Sequence, residues 1–179
     1  MKKLMLIAFV SVMFANGMYA QNQTKEQEQS NAEKFSAKSG SLMQREFTDV
    51  GSVKDCKVSI IYFTDLITNQ KQNALKFEYE YVSKYNTDTK SAMLDLDEVD
   101  AMIKSIKLIQ DKVFPTTPTN YTEVTFMSRD GFQAGCFFSK GNWSAYMKLE
   151  KYDKDSYVWL NKEDLPVLLS ILEKAKLKM

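Results

Sequence analysis

The 179-residue chain carries no histidine, two cysteines, and 24 basic residues against 23 acidic ones. Without histidine the commonest general base and the commonest metal ligand at neutral pH are missing, which excludes histidine triads and His-rich zinc sites, and two thiols are too few for a four-cysteine metal site. The even charge lacks the positive excess with which a protein neutralises nucleic-acid phosphates, so nucleic acid is not an expected partner, and no motif points to a cofactor.

Lys2 and Lys3 precede an apolar run over residues 4–15 and a short polar stretch ending at Ala20. This is the pattern of a secretory signal peptide, and the run is about half the ~20 apolar residues a membrane helix requires. Residues 1–20 are expected to be removed, with cleavage after Ala20 or after Gly17. The remainder is then periplasmic or extracellular, with no membrane span. Residues 21–40 contain one aromatic residue and no aliphatic residue larger than alanine. They cannot bury enough apolar surface to offset the entropy of ordering, and are expected to form a flexible polar leader.

Residues 41–179 read as one α+β domain. Strands are expected over residues 43–50, 57–66, 74–83 and 91–96. The third is the clearest, with Leu75, Phe77, Tyr79 and Tyr81 on one face and Lys76, Glu78 and Glu80 on the other. Val99, Met102, Ile103, Ile106 and Ile109 then fall at helical spacing, which predicts a helix over 98–112 and closes a first repeat, 41–113. A proline-bearing linker, 114–120, leads to a second repeat, 121–179. Its strands are expected over 121–128, 132–139, 143–152 and 156–160, with Asp130-Gly131 as a hairpin turn, and its closing helix over 163–176. The helix positions of the two repeats coincide 66 residues apart. The fold expected is therefore two tandem ββββα units, with antiparallel sheets and one helix per unit packed on its sheet.

Three groups of residues invite chemistry. On the strands of the second repeat, Phe137, Tyr146, Tyr157 and Trp159 have the parity opposite to Cys136, Met147, Val158 and Leu160, so they belong to the sheet face turned away from the helices. Aromatic rings on such a face stack on ligands. Two readings stay open, a ligand-binding surface or a face covered by the other repeat or by a dimer partner. Asp95, Asp97, Glu98 and Asp100 invite a calcium or acid/base reading, but Val99 stands where calcium needs an oxygen. Carboxylates at a helix start are better read as caps for its free N–H groups. Cys56 and Cys136 allow one disulfide, which would close a loop of roughly 80 residues and contribute ~4.5 kcal/mol; the alternative is two buried free thiols.

The order of four strands and a helix, twice over residues 43–178, resembles that of the Whirly family of single-stranded-DNA-binding proteins. Where that family carries a basic Lys-Gly-Lys-Ala-Ala-Leu-type motif on the second strand, this chain has Lys57-Val58-Ser59-Ile60-Ile61-Tyr62, so the resemblance implies the fold and not the DNA-binding motif. The chain also resembles small exported bacterial proteins. The function expected is a non-enzymatic exported module that binds an unknown protein or small ligand, as a monomer or a homodimer, through its aromatic sheet face. A hydrolase using carboxylates such as Asp95, Asp97, Glu78 or Glu80, or a weak single-stranded nucleic-acid binder, is the alternative.

Overall fold

The period-two segments become eight strands in two antiparallel four-stranded sheets, in a computed structural model that describes residues 29–84 and 86–179. The expected signal peptide and the first part of the leader lie outside the described residues. A short helix, α1 (Asn31–Ser36), precedes the first meander: β1 (Met43–Val53), β2 (Cys56–Asp65), β3 (Lys71–Val82) and β4 (Thr87–Leu94). α2 (Leu96–Leu108) follows and ends in one wider turn over Ile109–Val113, where the Phe114 N–H donates to the Ile109 carbonyl five residues back at 3.0 Å. Pro115 then ends the helix, since it has no N–H to donate.

The second meander repeats the programme with β5 (Thr122–Met127), β6 (Gln133–Ser139), β7 (Asn142–Lys148) and β8 (Tyr157–Leu160), then α3 (Asp164–Lys176). The fold is thus α+β with two ββββα units, as the spacing predicts. The β6–β7 hairpin turns on Lys140 and Gly141, both at positive φ (51° and 81°), the backbone that a two-residue turn between right-twisted strands requires. Asp130-Gly131 is not such a two-residue turn. Met127 pairs with Gln133, leaving a five-residue loop in which the Asp130 carboxylate accepts hydrogen bonds from the Phe132 N–H (3.1 Å) and from Ser128 Oγ.

One apolar cluster runs through both sheets and both long helices, from Val58, Ile60 and Phe77 through Met102 and Ile106 to Met147, Leu168 and Leu172. The repeats interlock rather than sit side by side. α3, which closes the second unit, packs on β1 of the first, where Ile171 fills the space beside Gly51 at a register shift in the β1–β2 ladder, and Lys174 Nζ donates to the Val50 carbonyl at 3.0 Å. Phe132 of the second unit stacks on Phe77 of the first, centroids 5.1 Å apart and both fully buried. Burying a side chain of that size contributes about 1.5–3 kcal/mol.

One expectation is corrected here, and one of the two readings of the cysteines is decided. The polar leader is not featureless to residue 40, because α1 lies within it. Ser30 and Glu33 form a reciprocal capping box, and Ala32 and Phe35 cover Ile61, Phe63 and Ala74 on the outer face of the first sheet. The disulfide that the sequence allows is not formed. Cys56 and Cys136 are buried free thiols within the apolar cluster, where burial pushes their pKa values up to about 12 and about 11. Among the described residues no helix is long and apolar enough to cross a membrane.

Candidate ligand-binding face

Alternation along β5–β8 sends one set of side chains into the core and the other outward. Val124, Ala134, Cys136, Ala145, Met147, Val158 and Leu160 belong to the core cluster. The opposite parity places Phe137, Tyr146, Tyr157 and Trp159 together on the outer face, as the sequence pattern expects. Their rings form a continuous patch: Tyr157 stacks on Trp159 (5.1 Å, 7°), Tyr146 lies 5.5 Å from Tyr157, and Phe137 meets Trp159 at 6.2 Å and 77°. The last angle is that of an edge-to-face contact, so the rings of the patch do not lie in one plane.

The four residues are not equivalent. Trp159 is 59% exposed and Tyr146 only 7%. The cause is Gly135, whose cross-strand neighbours are Thr125 on one side and Tyr146 on the other. The Tyr146 hydroxyl reaches past it to within 2.9 Å of Thr125 Oγ1, so the ring crosses a position that carries no side chain. A Cβ on Gly135 would stand 2.3 Å from the Val124 carbonyl oxygen and 3.0 Å from Thr125 Cα. Tyr146 is therefore the floor of the face, and Trp159 its reachable wall. Burial raises the Tyr146 pKa above its ordinary value.

The register adds residues that parity across β6–β8 alone does not select. Glu123 pairs directly with Phe137, which brings the outward set of β5, Glu123, Thr125 and Met127, onto the same face, with Tyr121 just before the strand. With Gln133 and the four rings they line a groove of about 410 Å³. Tyr121 is 63% exposed and its ring lies 6.3 Å from Phe137. Its hydroxyl donates to the Glu123 carboxylate, and that bond raises the Tyr121 pKa. At one end Lys148 holds its ammonium 5.1 Å from the Tyr157 centroid while donating to the Lys151 carbonyl at 2.8 Å. The signal that could have found Tyr121 and Glu123 is the same alternation, continued one strand further. The rest of the described chain does not cover this face, since Tyr121, Met127 and Trp159 stay more than half exposed.

The carboxylates beside α2 have other employment. Glu98 Oε2 accepts from the Asp95 N–H at 2.9 Å, half of a helix cap. The nearly buried Asp95 carboxylate turns to α1, accepting from the N–H groups of Asn31 (2.7 Å) and Ala32 (3.1 Å). Arg129, from the β5–β6 loop, completes the cluster. Nη1 and Nη2 donate to the two oxygens of Asp97 (2.8 and 2.9 Å), Nη2 donates to Asp95 at 2.6 Å, and the Arg129 backbone N–H donates to Glu98 Oε1 at 2.8 Å. The Arg129 hydrogen bond holds the Asp97 carboxyl below its ordinary range, while burial pushes Glu98 and Glu33 above theirs. Asp100 faces Lys176 instead, at 2.6 Å. No local pattern marks Arg129, whose partners are more than 30 residues away. Among the described residues no group of three or more Cys, Asp and Glu side chains is placed to hold a metal ion. Glu78 pairs with Lys76 on the outer face of the first sheet.

Comparisons of this chain with protein-family models, with curated proteins and with solved structures find no match. The class defined by fold and site is an α+β chain of two ββββα units with one open aromatic sheet face.

Proposed function

We propose that this chain is an exported, non-enzymatic binding module that holds a partner or small ligand against the aromatic outer face of β5–β8. One observation carries the reading: Trp159 and Tyr121 keep 59% and 63% of their surface open on a face that is otherwise a patch of contacting rings. Large rings cost free energy in water, and contiguous exposed apolar patches mark places where something else sits. Binding fits the chemistry better than catalysis does. The phenols of Tyr121 and Tyr146 are shifted upward, so at neutral pH they are hydrogen-bond donors rather than nucleophiles, and the chain has no histidine to act as a base.

The test uses the two tryptophans. Trp143 is buried, with its Nε1–H donating to the Thr116 carbonyl at 2.9 Å, whereas Trp159 is open, so their indole N–H signals in NMR report separately. Titration with uncharged oligosaccharides, alkylammonium ions and single-stranded oligonucleotides is expected to move the Trp159 signal with at least one class and to leave Trp143 in place. Trp159→Ala combined with Tyr121→Ala is expected to abolish the response with circular dichroism unchanged. Silence toward every class, or unfolding of the double variant, defeats the proposal. Sedimentation covers the remaining occupant: a dimer that protects Trp159 would put a second copy on this face instead of a ligand. Export is read from Lys2, Lys3 and the apolar run that follows. N-terminal sequencing of the protein from its host is expected to start at Gln21 or Met18, and an intact Met1 refutes export.

A further inference from the structure

We infer that the ligand taken by this face is a small free organic cation carrying a quaternary ammonium group, an assignment that rests on the binding role proposed above. The argument is one of charge and shape. Among the described residues, Glu123 is the only charged side chain lining the groove, and it is acidic. The groove it shares is lined by aromatic rings, whose faces carry the negative pole of the quadrupole, and a cation over such a face within about 6 Å is attracted to it. Phe137 lies 6.2 Å from Trp159 at 77° and 6.3 Å from Tyr121 at 36°, so the rings beside Glu123 are not coplanar. A flat sugar needs only one plane to stack on, whereas a rounded alkylammonium group makes contact on several sides at once.

The molecule already performs this interaction at its own rim, where the Lys148 ammonium lies 5.1 Å from the Tyr157 centroid. Lys148 is held there by the Lys151 carbonyl, which leaves the Tyr121, Phe137 and Trp159 side of the groove free for a second cation beside Glu123. The hydroxyl of Tyr121 fixes that carboxylate next to Phe137. An anion meets the reverse arrangement: a phosphate placed on the rings would face Glu123. The groove, about 410 Å³, is of small-molecule size, which favours a free compound over a membrane surface or a long peptide.

The experiment titrates the intact chain with choline and with 3,3-dimethylbutan-1-ol, which has the same shape with carbon in place of the charged nitrogen. Choline is expected to move the Trp159 indole signal saturably, with Trp143 stationary, and the neutral isostere to bind about tenfold more weakly. Glu123→Gln keeps an acceptor for Tyr121 at an exposed position, so folding is retained. It is expected to weaken choline several-fold and leave the isostere unchanged. Equal affinity for choline and its isostere, or no response to choline, overturns the cation assignment; a response to oligosaccharide in the same series would leave the binding role standing without it. Binding of phosphatidylcholine vesicles or of a trimethyl-lysine peptide without binding of free choline overturns the choice of a small free ligand. Silence toward every probe class removes both the assignment and the role beneath it.

Discussion

The two sheets share a strand order and a core, yet their outer faces are treated in opposite ways. On the first sheet α1 lies over Ile61, Phe63 and Ala74, and the remainder is laced with charge: Lys76 pairs with Glu78, Lys57 with Asp49, and Lys76 also stands 5.8 Å from the Phe47 ring. On the second sheet nothing comparable among the described residues closes the surface, and Trp159 and Tyr121 stay open. Duplication of a ββββα unit produces two equivalent faces. Among the described residues an N-terminal segment covers one of them, and none covers the other to the same degree. Under the binding role proposed above, the difference assigns ligand contact to the second repeat and a structural task to the outer face of the first.

The hardest way to break this comparison is at Gly135. A Cβ there would stand 2.3 Å from the Val124 carbonyl, which is backbone and cannot swing aside, and a larger side chain would also displace the Tyr146 ring. Gly135→Val is expected to cost about 3 kcal/mol or more, or to prevent folding, as measured by urea denaturation. Ser144→Val, on the same face but exposed, is expected to stay within about 0.5 kcal/mol of the parent. Equal costs at the two positions would show that Gly135 does not organise the face.

Asp95 is the corresponding point for the first sheet, because it ties α1 and Arg129 to the start of α2. Removing one partner of a buried charged pair typically costs about 3–5 kcal/mol. Asp95→Ala is expected to fall in that range and to expose the amides of residues 31–36 to hydrogen exchange while those of β5–β8 keep their protection. If the α1 amides stay protected, Ala32 and Phe35 alone hold the helix in place.

This point also shows where the sequence stops being readable. Alternation and helical spacing carry the eight strands, the two long helices and the shared face of Phe137, Tyr146, Tyr157 and Trp159, because each is a pattern within about ten residues. α1 is not such a pattern. Its segment is polar, only Ala32 and Phe35 turn inward, and its backbone bonds run to a carboxylate 63 and 64 residues away. Arg129 is equally silent, since its role exists only once the β5–β6 loop meets the start of α2. The acidic cluster is read correctly as part of a helix start, but what its charges serve is set by chain segments that sequence spacing does not connect. At the aromatic face the reverse holds: parity selects the rings, and only the glycine between Thr125 and Tyr146 decides which of them a ligand can reach.

The acidic cluster gives a pH test of smaller amplitude. The carboxyls of Asp97 and Asp65 lie below their ordinary value of 3.8 in the fold, Asp97 through the Arg129 hydrogen bond and Asp65 through that from Thr68. Such groups stabilise the fold above their unfolded pKa and lose that contribution as pH falls through the folded one. Burial raises Glu33 and Glu98 above 4.5, and raised carboxyls act with the opposite sign: their contribution is present below the unfolded value and lost as pH rises through the folded one. The melting temperature is therefore expected to hold or rise as pH drops from 7 toward 4.5, and to fall only below 3.8. Arg129→Met removes the cause of the Asp97 shift and is expected to flatten the acid limb. A melting temperature that falls steadily from pH 7 downward would contradict the burial of Glu33 and Glu98 as proton-holding groups.

The smallest effect on stability belongs to the residue with the largest expected effect on binding. Trp159 sits on the edge strand β8 with 59% of its surface in solvent and stacks on Tyr157 alone at close range. Trp159→Ala is expected to change unfolding free energy by less than about 1 kcal/mol, because exposed aromatic pairs contribute about 0.5–1.5 kcal/mol and part of that contact re-forms with solvent. The same replacement at Trp143, which fills the core between Phe114 and Phe138 and anchors the linker through Thr116, is expected to cost about 3–5 kcal/mol. An exposed ring on an edge strand gives the fold little stability, and under the binding role proposed above its main contacts lie outside the chain. Should Trp159→Ala prove as damaging as Trp143→Ala, the second face is as structural as the first and the asymmetry between the sheets disappears.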